Sequence, residues 1–369
     1  MSSPSSRLVP RWLLVTTLIA IFLFLAQVFI PLPYVIERPG PVVNTLGDVQ
    51  LAEGEVPMIQ VEGAQTFPVS GELNLLTVTI VGNPDDPPGW IDLLAAAFDP
   101  SQDIVPMELF YPEGVTVDDR KKANQAEMTS SQDAATAASL NALEIDFSQT
   151  LSVGRISENG PAAGILQVDD ELVAVNATPV SSYPELRSQI QANGAGTPAT
   201  FSIVREGAAQ DVLITPVGVD EDGRQVALIG VSVATTFEFP LDVNIQLERI
   251  GGPSAGLMFA LGISDLLMPL DLAEGLSVSG TGTIDSEGNV GSIGGLAQKV
   301  FAAQRQASDV IFIPDGQCAL VPPDAFSRIA VVPVATLTEA IDALALLQSG
   351  ATVDALPGCS LGNSAATQR

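Results

Sequence analysis

Two short stretches hold the residue types best suited to chemistry. The first is Gly251-Gly252-Pro253-Ser254-Ala255-Gly256, a serine between a Gly-Gly-Pro turn and an apolar helical run. The second is Gly294-Gly295-Leu296-Ala297-Gln298-Lys299, a lysine one turn into a helix that follows a Gly-Gly break. The 369 residues include no histidine, so a Ser-His-Asp triad is excluded. A lysine can replace the imidazole when desolvation lowers its pKa toward neutrality and leaves a free amine. The chain has three lysines. Lys121 and Lys122 are adjacent in the charged run VDDRKKAN, where an amine stays solvated and protonated. Lys299 sits one position from the apolar stripe of Leu296, Val300 and Ala303, at the edge of a buried face. Pro253 can open the helix that follows, which leaves first-turn N–H groups beside Ser254 to receive an oxyanion. Each stretch alone reads more readily as an ordinary cap or turn; their joint occurrence, in this order and with no histidine to compete, is what points to a pair.

The elements around these stretches alternate. Within residues 226–348, VALIGVSVATTFEFPLDVNIQ is strand-like, SAGLMFALGISDLLM is an apolar helix, and GLSVSGTGTIDSEGNVGSIGG is a hairpin. LAQKVFAAQRQ then reads as a helix, DVIFIP and IAVVPVA as strands, and TLTEAIDALALLQS as a final helix. This alternation indicates an α/β domain. Residues 148–218 give strand, short helix, strand, longer helix and two closing strands, with Ser182 capping the longer helix. Residues 37–147 hold a strand, GELNLLTVTIVG, and a helical stretch that would pack with the α/β module. Residues 350–369 read as a flexible tail.

The N-terminus reads as a membrane anchor. Residues 12–36 carry no formal charge and are long enough for a transmembrane helix. Arg7 and Arg11 precede the span and Arg38 follows it, which puts residues 1–11 in the cytoplasm and the bulk of the chain outside. A cleaved signal peptide is the competing reading, with a shorter apolar core and a small-residue site after it. Outside the cytoplasm Cys318 and Cys359 could bridge; two free thiols are the alternative.

GGPSAGLMFALGISDLL together with GLSVSGTGTIDSEGNVGSIGGLAQKVFAAQRQASDVIFIP resembles the proteolytic domain of the Lon protease family. The resemblance implies a serine endopeptidase with Ser254 as nucleophile, Lys299 as general base, and Gly252 and Ala255 as supporting residues of the serine turn. It implies that Ser279, matching the threonine of a Thr-Gly-Glu stretch, steadies the lysine, with Thr281 replacing the glutamate. Many members carry an acidic residue where this chain has Gly251. VGRISENGPAAGILQVDDELVAVNATPVSSYPELRSQI resembles a PDZ domain of the bacterial protease-associated type, which binds extended peptides by adding a strand. No Gly-Leu-Gly-Phe-like carboxylate loop stands upstream in ALEIDFSQTLSVG, and Asp169 replaces the usual glycine before the acidic residue at 170. The whole arrangement resembles the membrane-anchored, PDZ-containing Lon-like proteins of Gram-positive bacteria, particularly the high-GC group. It implies an α/β Lon-type proteolytic domain, a PDZ-like β-rich domain and an N-terminal transmembrane helix, and a homo-oligomeric ring as the assembly to look for.

Composition narrows the partners. With 15 basic against 43 acidic residues the net charge is −28, which excludes nucleic acid as a partner. No Gly-x4-Gly-Lys-Ser/Thr loop exists, so no ATP-driven motor is encoded, and no cofactor or metal is expected. The expected function is ATP-independent cleavage of exported or membrane-proximal peptides and unfolded segments. The alternative is an anchored PDZ scaffold with an inactive protease-like domain.

Overall fold

The computed structural model describes Trp12, Val15, Thr16 and residues 32–51, 54–221, 224–247 and 251–359. The chain divides into two units, Ile145–Asp242 being one and the flanking segments, to Glu144 and from Val243, together forming the other. In chain order the principal elements are β1 (Tyr34–Asn44), β2 (Glu72–Val81), α1 (Trp90–Ala97), β3 (Asp103–Pro106) and α2 (Val117–Ala142). Within Ile145–Asp242 follow β4 (Ser148–Ile156), β5 (Glu171–Val175), α3 (Tyr183–Asn193), β6 (Ala199–Arg205), β7 (Ala208–Ile214) and β8 (Val231–Glu238). The flanking unit resumes with α4 (Gly256–Leu267), β9 (Ser277–Gly280), α5 (Leu296–Gln306), β10 (Val310–Pro314), β11 (Ala330–Val334) and α6 (Leu337–Gln348).

The flanking unit is built on one mixed sheet of order β11-β10-β9-β2-β1-β3. β2, β9, β10 and β11 run parallel, while β1 pairs antiparallel with both β2 and β3. The continuous apolar run of β10 is buried at every position, as a central parallel strand covered on both faces requires. α4 is apolar nearly all round and is buried from Gly256 to Asp265. α2 starts at a capping box in which Thr116 and Asp119 exchange hydrogen bonds of 3.1 and 3.2 Å. Its buried face is mostly Ala, Ser and Thr between Met128 and Leu140, and it approaches α4 closely: Ser139 Oγ donates to the Ala260 carbonyl at 2.7 Å.

The expected transmembrane helix over 12–36 is corrected here. Among the described residues no helix is long and apolar enough to cross a membrane. The last three residues counted in that span open β1 instead, with Val35 and Ile36 buried in protein at 0% and 3% exposure. Their apolar character belongs to the sheet core. Most of the remainder lies outside the described residues. The anchor, the single-pass topology with a cytoplasmic N-terminus, and the membrane as a partner are withdrawn with it, leaving the wider resemblance to rest on its two domains.

The unit Ile145–Asp242 is a sheet of order β7-β6-β5-β4-β8 with α3 beside it. Residues 226–242, read above with the α/β domain, are part of this unit. Val231–Glu238 alternates half-buried and exposed residues and pairs antiparallel with β4 from Val231–Ile156 to Glu238–Ser148. Asp169 adopts a φ of 69°, the conformation the usual glycine would supply. Asp170 is buried against Arg205, whose Nε and Nη2 lie 2.7 and 2.6 Å from its two oxygens.

Candidate active site

The serine turn is held in place by its backbone. Gly252, at φ 91°, makes the reversal that a side chain would strain, and its N–H donates to the Asn124 carbonyl on α2 at 3.1 Å. The carbonyl of Pro253 accepts from Ser131 Oγ at 3.0 Å. The carbonyl of Ser254 accepts from the N–H of Gly282 at 3.0 Å and from Thr281 Oγ1 at 3.1 Å. Ala255 is buried where this turn enters α4. A Cβ at position 251 would lie 2.9 Å from Asn124 Cβ, too close for a side chain there unless α2 shifts.

α5 delivers the lysine. Gly295 caps the helix in the left-handed conformation, and Leu296, Val300 and Ala303 pack into the core as the sequence stripe requires. Lys299 is buried with them, 2% exposed. Its Nζ donates to Ser254 Oγ at 2.8 Å and to Thr281 Oγ1 at 2.9 Å. Burial pulls the amine down to about 7, while the Glu37 carboxylate pulls it partly back. Near neutral pH a large fraction of Lys299 is therefore a free amine in contact with the serine hydroxyl, the condition for a general base. Lys121 and Lys122 are exposed on α2.

The hydroxyl against Lys299 belongs to Thr281 and not to Ser279. Ser279 lies on β9, fully buried, with its Oγ 2.7 Å from Ser308 Oγ. Thr281 follows the C-terminal end of β9, and its hydroxyl accepts from the lysine while donating to the Ser254 carbonyl. The position carries a usable signal, because parallel sheets gather functional groups just beyond the carboxyl ends of their strands. Sequence reasoning also missed Glu37, on β1. It lines the same cleft of ≈ 560 Å³ as Ser254 and Lys299, with Tyr111, Arg120 and Glu127 on the α2 side.

Cys318 and Cys359 are bonded, with Cα atoms 5.6 Å apart. Cys359 N–H donates to the Val331 carbonyl, so the bridge fastens the segment at Cys359 beside β11.

A second groove lies within Ile145–Asp242. It has a volume of ≈ 370 Å³, and Leu186 and Ile190 of α3 line it together with Ile229, Gly230 and Val231. The carbonyls of Ile229 and Gly230 accept from the N–H groups of Ala162 and Ser157, which fixes the Leu228-Ile229-Gly230 turn at the groove. A glycine-containing turn thus leads into β8 at this groove, whereas in the sequence one was sought upstream of β4. Assigning residue 226 onward to the other domain concealed it.

Residues 249–347 match the Lon protease (S16) C-terminal proteolytic domain. This part of the chain is a Lon-type serine endopeptidase domain. A Lon protease of Aster yellows witches'-broom phytoplasma (strain AYWB) is 32% identical over 105 residues, which are 27% of this chain and 13% of that protein. One of Endomicrobium trichonymphae is 31% identical over 93 residues, 24% of this chain and 11% of that protein. The Lon-type match thus spans only a small part of those relatives. Residues 114–204 match a PDZ domain, a range that begins with α2 of the flanking unit and stops short of β7 and β8. The PDZ domain of an SdrC-like protein from Listeria monocytogenes is similar to 22% of this chain and 85% of its own, at 18% identity and a TM-score of 0.21.

Proposed function

We propose that the chain is an ATP-independent serine endopeptidase that cleaves extended or unfolded polypeptide segments through a Ser254–Lys299 dyad. The observation that carries this reading is the 2.8 Å hydrogen bond between Lys299 Nζ and Ser254 Oγ at a buried amine. An inactive scaffold would instead show the two groups apart, or the lysine exposed or ion-paired.

The neutral amine takes the Ser254 proton as Oγ bonds to the scissile carbonyl carbon and the carbonyl π pair moves to oxygen. Collapse of the adduct breaks the C–N bond, and the Lys299 ammonium protonates the departing amine. Water, deprotonated by the same lysine, then releases the acyl group from Ser254. Thr281 keeps the amine on the serine oxygen through the cycle.

The choice of an extended substrate follows from β2. β9 pairs with Glu72–Leu75 only, and no strand among the described residues continues along that edge past Leu75. Leu76, Thr77, Val78, Thr79 and Ile80 line the cleft instead, beside Ser254. A peptide laid along this edge as an added strand presents its carbonyls to the serine. The groove between α3 and β8 serves as a second peptide site that recruits segments by the same strand addition.

Labelling of the full chain with a small fluorophosphonate from pH 5 to 9 tests the dyad. Labelling should rise through about pH 7 and vanish in Ser254→Ala and Lys299→Ala. A folded wild-type protein that does not label at any pH, yet binds peptide in the α3–β8 groove, would make the chain a binding scaffold.

A further inference from the structure

The cleft contains a carboxylate that none of these steps uses. Glu37 stands on β1, against which α5 packs, and lines the cleft beside Ser254 and Lys299. It is half-buried, and its carboxylate makes no hydrogen bond among the described residues. Two charged neighbours act on it. Asp103 is its partner in register on β3, and Gln298 Nε2 donates to Asp103 Oδ2 at 2.9 Å. Lys299, the next residue on α5, is the other. Asp103 thus fastens α5 at the residue before the base, while Glu37 lines the cleft with the base itself. The remaining charged groups at the cleft, Arg120 and Glu127, come from α2 on the other wall.

Lys299 Nζ is bonded to two hydroxyls and to neither carboxylate. The distinction matters. A carboxylate in direct contact with the amine would keep it protonated and remove the base. With no carboxylate near, the ammonium formed by proton abstraction would be left uncompensated in a buried site.

We propose that Glu37 is a positioning residue for Lys299, close enough to stabilise its ammonium between proton abstraction and delivery to the leaving amine, yet not bonded to it. This rests on the dyad reading above. Burial and Asp103 raise the Glu37 pKa while Lys299 lowers it, in keeping with a carboxylate whose compensating charge appears only during the cycle.

The test is the pH profile of fluorophosphonate labelling and of kcat/KM for peptide hydrolysis, measured on the full chain from pH 5 to 9. Removing the negative charge lowers the lysine pKa further. Glu37→Gln should therefore move the acid limb down by about 1 pH unit, with a plateau several-fold lower because the base is weaker. Glu37→Asp, which holds the charge one methylene farther away, should move it down by less. If Glu37→Gln does not fold, Glu37→Asp carries the test alone. A limb that stays in place while the plateau falls makes the role structural and overturns the proposal. An unmoved limb with selective loss of peptides carrying a basic residue beside the scissile bond overturns it too, and makes Glu37 a substrate contact. Absence of labelling in the wild-type protein is a different result, because it removes the dyad itself.

Discussion

Thr281 Oγ1 has a single proton and gives it to the Ser254 carbonyl, so toward Lys299 it can only accept. That fixes the direction of both bonds and aims the remaining amine valence at the serine. Thr281→Val keeps the shape and removes the acceptor; the expected result is a fall of about ten- to a hundred-fold in kcat with KM little changed, measured by steady-state peptide hydrolysis. Ser279→Ala removes the hydrogen bond to Ser308 and should leave kcat within about two-fold, since neither hydroxyl of that pair bonds Ser254 or Lys299. The two variants separate the residue that steadies the lysine from the one the motif suggested. Ser254 and Lys299 were legible as candidates from residue type, because the absence of histidine left one lysine on an apolar helix edge, and the resemblance supplied their proposed roles. Thr281 and Glu37 were not, because each reaches the site through strand pairing rather than through local pattern.

At the scale of elements, α4 ends on a buried charge. Asp265 is fully buried and accepts from the Leu272 N–H at 2.7 Å, while its other oxygen has no partner among the described residues. Burial, with Asp271 nearby, raises its pKa to about 6. The folded pKa lies above the unfolded one, so its contribution to stability is complete below about pH 4 and is lost as pH rises through about 6. The upward shift corresponds to about 3 kcal/mol. Melting temperature plotted from pH 4 to 8 should fall for the wild-type protein across this window, and Asp265→Asn should flatten the slope. At the other end of α4, Gly252→Ala forces a side chain into positive φ; activity should fall more than melting temperature does, because the strain sits on the serine turn. Helices were the most readable elements. α2 was recognised from its composition, although its buried face, mostly Ala, Ser and Thr with Met128 and Leu140, carries little amphipathic signal. β8 was assigned to the wrong domain, since a half-buried alternating strand does not name the sheet it joins.

The two units are each closed by non-local links. The Cys318–Cys359 bridge spans 41 residues, a separation for which loop entropy gives about 4 kcal/mol. Reduction, or Cys359→Ser, should lower the melting temperature by several degrees and leave the labelling rate of folded protein unchanged, since the bridge lies beside β11 and not in the cleft. Residues 145–242 interrupt the proteolytic unit: β1, β2 and β3 precede them, and β9, β10 and β11 follow. During synthesis β2 therefore leaves the ribosome long before its parallel neighbour β9 exists. The interrupting unit, continuous in sequence, can complete its sheet first. Until then the edge that later receives β9 is open from Glu72 onward, as is its continuation past Leu75. An unfinished chain thus carries an open, extended edge that strand pairing with its own siblings could cover until the insertion has been passed.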